Sequence, residues 1–205
     1  MRNGKAVGST SDLTRSSAVY LCAGPMNHAL ATLIPTIDLE SVGAPTIFPK
    51  LGNVDLPCWF ANERHVETEA TRRVIWVPEK NRRLSSGAEG CYLEAKQQHH
   101  IHPGVFQPSS SIVSDTAIFA RLTVEDRTIF VIAGIHQFGT WIGGEYLKRL
   151  ASGEETEYDD LYTGANDFIA IIVGTFDYEK YRVEDCTVRD KFIWTKEKGS
   201  WFSRG

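Results

Sequence analysis

The chain has few of the signals that usually declare a function. Its 205 residues include four cysteines, Cys22, Cys58, Cys91 and Cys186, widely spaced and without a CxxC pair. That spacing excludes a disulfide framework, and a reducing cytoplasm is the expected compartment. Residues 1–17, MRNGKAVGSTSDLTRSS, are polar and small and lack the apolar stretch of a signal peptide, so a flexible tail is expected there. No apolar run approaches the ~20 residues of a membrane helix. A net charge of −4 gives no bulk attraction to nucleic acid or to an anionic membrane, and neither is an expected partner. There is no GxSxG elbow to present a nucleophilic serine.

Apolar residues make up 42% and charged residues 23%, which suits one soluble domain with its own core. The expected organisation is the tail 1–17, a single domain over 18–196 and a C-terminal tail over 197–205.

The chain opens with AVYLCAG, a short apolar run ended by glycine, which reads as a buried strand. A helix then begins at Pro25, whose missing N–H costs nothing in a first turn, and Pro35 ends it. APTIF, LPCWF, RRVIWVP and CYLEA read as further strands among polar loops. DTAIFARLTVEDRTIFVIAGI is two apolar runs around the polar tip Val124–Arg127, the pattern of a β-hairpin. A helix is expected over Thr140–Ala151, closed by Gly153. DFIAIIVGTF reads as a core strand, and DCTVRDKFIWTK as its antiparallel neighbour. Strands outnumber helices. The expected fold is α/β, a Rossmann-like core whose mixed sheet is extended by antiparallel strands. An α+β sheet with its helices on one side is the alternative.

Two strand–Gly–helix turns carry the functional reading: Gly24-Pro25-Met26-Asn27 and Gly134–Thr140. A helix N-terminus exposes N–H groups and a partial positive charge, which attract anions. If both strands are parallel in one sheet, both turns open on one edge, where α/β sheets bind ligands. Gly134-x-x-x-x-Gly139-Thr140 is half of a phosphate loop, but Trp141 stands where the lysine would be, which argues against P-loop ATP hydrolysis. Glycines at such corners also serve backbone geometry alone. Gly143 and Gly144 each cost a helix about 1 kcal/mol relative to alanine, which close packing on the sheet or room for a ligand would offset. His136 lies in the loop and is the first acid–base candidate, with Asp115 and Glu145 as carboxylate candidates. Asn27 is placed to touch a ligand or to cap its helix.

Other constellations are less specific. His99, His100 and His102 in HHIH would need Cys91, Glu94 or His65 to complete a zinc set, and the flanking residues suit a loop, so no metal is expected. Cys58 has His65 seven positions on, but a Cys–His pair is defined by spatial geometry. Trp201-Phe202 is an aromatic pair near the end, which docks on its own domain or meets another chain.

The segments YLCAGPMNHAL, FVIAGIHQFGTWIGGEYL and DFIAIIV together resemble an uncharacterised bacterial Rossmann-like domain. There a Gly-Pro-x-Asn turn ends the first strand, and a Gly-x-His-x-x-Gly-Thr loop leads a later strand into a helix. More distantly the pattern is similar to nucleotide-sensing and nucleotide-cleaving Rossmann-like domains, including TIR-like and deoxyribosyltransferase-like members. The resemblance covers about Ala18–Ala31 and Asp115–Val173. It implies a nucleotide-derived ligand, often in signalling or antiviral defence, held at Gly24, Pro25, Asn27, Gly134, His136, Gly139 and Thr140. The catalytic glutamate of the cleaving members has no counterpart that the motif places.

The function expected is an intracellular small-molecule sensor for a nucleotide-like or other anionic ligand, with a homodimer as a possible assembly and no cofactor. The alternatives are a hydrolase or transferase acting on a nucleotide, and a ligand-free interaction module.

Overall fold

Residues 112–134 hold the longest stretch of strand pattern, and they form the centre of the molecule. In the computed structural model, which describes residues 18–22, 28–39, 49–51, 54–64, 71–78, 82–85, 111–124, 127–155, 166–195 and 199–204, β8 (Ile112–Val124) and β9 (Arg127–Gly134) pair as an antiparallel hairpin from Ala117↔Gly134 to Val124↔Arg127. The preceding elements are β1 (Ala18–Cys22), α1 (His28–Leu33), β2 (Thr36–Leu39), β3 (Lys50–Leu51), β4 (Val54–Asp55), β5 (Trp59–Arg64), β6 (Thr71–Val77) and β7 (Arg82–Ser85). After the hairpin come α2 (Gln137–Ser152), β10 (Phe168–Asp177), β11 (Arg182–Thr195) and β12 (Ser200–Arg204).

Six strands form the main sheet in the order β1-β9-β8-β10-β11-β12, and four form a second sheet in the order β2-β5-β6-β7. Strands β3 and β4 pair separately. The expectation of a Rossmann-like α/β fold is overturned. Among the described residues twelve strands stand against two helices, and parallel pairing is confined to β1/β9 and β2/β5. Of the two strand–Gly–helix turns behind that expectation, the one at 134–140 is described, and it is set among antiparallel strands. A Rossmann core needs successive parallel strands joined by helices. Here one crossover of that kind is described: β9 and β10 both run antiparallel to β8, so they share a direction, and α2 joins them.

Alternation along the central strands explains why both faces of this sheet are covered. Ile118, Ala120, Leu122, Ile129, Val131, Ala133, Ile169 and Ile171 point to one face, where they pack with Trp59, Phe60, Val74, Ile75 and Val77 of the second sheet and with Leu30, Leu33 and Ile34 in and just after α1. Their neighbours Ala117, Phe119, Phe130, Ile132, Phe168, Ala170 and Ile172 point the other way and receive α2. The period-two pattern thus builds three layers: sheet, sheet, helix.

Helix α2 presents Phe138, Ile142, Tyr146 and Leu150 to the sheet at four-residue spacing. Burying a large apolar side chain of this kind contributes about 1.5–3 kcal/mol. The helix ends where Gly153 adopts φ 75°, with its N–H donating to Leu150 O and that of Glu154 to Arg149 O. It begins three residues before the expected Thr140, for a reason that lies in the site. Ser200–Arg204, read as part of a tail, pairs with β11 and forms the outer strand of the main sheet.

Candidate functional site

Strands β1 and β9 lie side by side and parallel, with Ala18 level with Thr128 and Cys22 level with Ile132. Both therefore leave the sheet at the same edge. The helices that follow lie on opposite faces: α1 contributes to the core between the sheets, whereas α2 packs on the other side. Gly24, Pro25 and Asn27 fall outside the described residues, so the second turn, 134–140, carries the geometry.

That turn is closed by its own polar groups. His136 is the N-cap residue of α2, with φ −124° and ψ −177°, and its side chain makes no capping hydrogen bond. The cap comes instead from Asp115 on β8. Its Oδ2 accepts the Gly139 N–H at 2.7 Å, and its Oδ1 accepts the Thr116 N–H at 2.8 Å. Gly139 is the third helical residue, whose N–H an N-cap side chain normally takes. Asp115 is 2% exposed, and this pairing satisfies a buried carboxylate at the positive end of a helix. This borrowed cap lets the helix start at Gln137.

The glycines fit the same account. A Cβ on Gly139 would lie 2.5 Å from Thr116 O and 2.8 Å from Gly134 Cα. On Gly134 it would meet Thr140 N at 2.2 Å and His136 O at 2.3 Å. Thr140 Oγ1 accepts the Gly134 N–H at 3.0 Å, while the Ile135 N–H donates to Thr116 O at 2.9 Å. Four residues further, Gly143 lets α2 close on the sheet, because a Cβ there would meet Ile132 Cγ2 at 2.7 Å. Gly144 faces open space. Of the predicted set, Gly134, Gly139 and Thr140 thus have tasks inside the corner. His136 reaches the surface, its side chain 18% exposed and its Nδ1 3.9 Å from Asp115 Oδ1. The structure brings His136 and Asp115 together. Glu145 lies elsewhere on α2, accepting from Lys148 Nζ at 3.1 Å and close to Arg149.

The remaining candidates separate. Cys58 is fully buried, and burial, with the Asp190 charge as a second cause, raises its thiol pKa far above the usual range, which leaves no thiolate. His65 and the HHIH cluster lie outside the described residues, and among the described residues no group of three metal-ligating side chains occurs. Trp201 docks on its own domain, 5.6 Å from Trp194 between ring centroids, while Phe202 is 49% exposed.

Sequence reading missed an aromatic cluster at this same end of the sheet. Phe138 stacks on Phe176 at 5.0 Å, and Trp141 meets Phe176 at 5.0 Å and Tyr181 at 4.9 Å. Tyr178 joins at 6.4 Å from Phe138. The signal was there in TFDYEKYR, where tyrosines three apart open and close a four-residue turn, and in the Phe138/Trp141 pair one turn apart on the helix. The turn's charges bind one another. Lys180 Nζ lies 2.7 Å from Asp177 Oδ2 and 3.2 Å from Glu184 Oε1, and Arg182 Nε lies 3.0 Å from the same Glu184 oxygen. Hydrogen bonds from Lys180 hold the Asp177 carboxyl below its ordinary range, and those from Arg182 and then Lys180 do the same for Glu184.

No helix among the described residues is long and apolar enough to cross a membrane. No family model matches the chain, and no characterised protein or solved structure matches it either.

Proposed function

We propose that the chain is a small-molecule-binding or sensing domain for a nucleotide-like ligand, seated at the edge of the main sheet where β1 and β9 end. The observation that carries this reading is that the helices following two adjacent parallel strands, α1 and α2, lie on opposite faces of the main sheet. Adjacent parallel strands whose chains leave to opposite faces part there and open a crevice, and α/β sheets take their ligands in such crevices. His136 is the side chain that meets the ligand, and Asp115 holds the loop that carries it. Asp115 already takes the Gly139 N–H, so the ligand is held through His136 and ring contacts rather than by an anion on that amide. The reading places the protein in the cytoplasm, in nucleotide signalling or defence, with a homodimer as a possible assembly.

The test is a thermal-shift screen with nucleotides, nucleosides and cyclic dinucleotides. A ligand present at one hundred times its Kd adds about 2.7 kcal/mol of stability. His136→Ala is expected to lose that gain. A screen in which none of these compounds moves the melting temperature rejects the reading.

One observation favours a second reading, hydrolase or transferase: Asp115 Oδ1 stands 3.9 Å from His136 Nδ1, beyond hydrogen-bond range here but close enough for a carboxylate–imidazole pair to tighten around a substrate. Chromatography of the bound compound after long incubation decides it, because an unchanged compound rules out turnover.

A further inference from the structure

We infer that Trp141 and Tyr181 form a stacking shelf for a planar heteroaromatic ring, the base of a nucleoside. The inference rests on the nucleotide-like ligand proposed above and gives that ligand's ring its place.

Ring geometry is the first argument. Trp141 and Tyr181 stand at 67° with centroids 4.9 Å apart, 38% and 66% exposed respectively. Beneath them Phe138 and Phe176 are buried and stack at an interplanar angle of 29°. A packed floor therefore carries an exposed, steeply inclined pair. A flat ligand lies on one ring face and meets the edge of the other, the two arrangements aromatic pairs prefer.

Backbone conformation is the second. Tyr181 has φ 56°, and it is the only non-glycine residue with positive φ among those described. The left-handed region is uncommon for a bulky side chain, and turns of this kind ordinarily place Gly or Asn there. The chain instead spends that position on a tyrosine that remains two-thirds exposed, so burial does not offset its strain.

Charge is the third. Asp177, Lys180, Arg182 and Glu184 beside the shelf are two anions and two cations bound to one another. With these four paired among themselves, the exposed Glu179 is left outside the network, and its negative charge disfavours an anionic partner at the shelf and suits an uncharged flat ring recognised by stacking. Position is the fourth. Val113, which packs with Phe138 and Phe176, is two residues from Asp115 on the same strand face, so the shelf adjoins the corner that carries His136.

The experiment titrates the full chain with adenosine and guanosine, following tryptophan emission and binding heat, with ribose 5-phosphate as a ring-free control. Quenching by a nucleoside and not by ribose 5-phosphate is the expected result. Trp141→Leu is expected to lose the quenching and to bind roughly 5- to 150-fold more weakly, the range for removing one base-stacking ring. Tyr181→Asn, which suits the left-handed backbone, is expected to weaken binding while its melting temperature stays at or above that of the parent. Nucleosides that bind both variants as tightly as the parent overturn the shelf and leave the proposed function standing. If nothing binds, in this titration or in the nucleotide screen, both fail. Concentration-dependent self-association abolished by Tyr181→Asn also overturns the shelf, because a second copy would then cover it.

Discussion

Two turns at one end of the main sheet handle local cost in opposite ways. The β9–α2 corner is tight: its glycines touch backbone, and its N–H groups at residues 134, 135 and 139 have acceptors within 3.0 Å. The β10–β11 turn is open, with a strained tyrosine and exposed rings above a packed floor. In the first, each conformational demand is met by a partner inside the fold. In the second, Tyr181 rests on Trp141 and Phe176 yet stays two-thirds exposed, so its strain is offset only in part. A costly feature that is fully compensated within the fold reports on architecture, and one that is not points outward.

Substitutions sharpen this contrast. The largest loss is expected for Gly139→Ala, whose methyl would press on Thr116 O and Gly134 Cα. Backbone cannot yield as a side chain does, so about 3 kcal/mol or more should disappear from the urea-unfolding free energy. Asp115→Ala leaves two buried N–H groups without their acceptor and is expected to cost about 3 kcal/mol, with Asp115→Asn intermediate because one acceptor oxygen remains. Gly143→Ala should destabilise by about 1 kcal/mol, since overpacking against Ile132 outweighs the helix gain, whereas Gly144→Ala should stabilise by about 1 kcal/mol. Equal effects from the two adjacent glycines would break the account of α2 packing.

The smallest effect concerns pH at the open turn. The hydrogen bond from Lys180 depresses the folded pKa of Asp177, so its contribution is present above the unfolded value and is lost as pH falls through the folded one. The gap in melting temperature between the parent and Asp177→Asn should therefore close on acidification below about pH 4, the ordinary carboxylate value. A gap that is constant down to strong acid would assign the difference to packing.

Local elements were legible because local forces write them. The β8–β9 hairpin, the Gly153 stop and the core strand at 168–177 follow from alternation and turn chemistry. The parallel pairing of β1 and β9 enters the sequence reading only as a condition, and the structure meets it. The fold class was not legible, because the same apolar strand suits a parallel or an antiparallel neighbour, and partners are chosen across the whole chain. Two βα turns weighed more in the reading than the antiparallel pairs around them. The site was half legible. His136 and Asp115 are both legible as candidates, but the cap that Asp115 gives the Gly139 N–H, which brings the two near each other, joins residues far apart in sequence, and no spacing encodes it. The aromatic turn went unread because its rings gather from a helix and a hairpin that meet only in three dimensions.

The parallel pairing of the first strand has a consequence for synthesis. Ala18 finds its ladder partner at Thr128, so the strand is translated long before the edge it will occupy exists. The β8–β9 hairpin closes locally and fast, and the N-terminal segment must wait, solvated, until that template has left the ribosome. The doorway beyond the ends of the two strands thus cannot form until residue 134 has emerged, although β10, β11 and β12 are made later still. A ligand seated there would hold in place a strand whose other attachments come late.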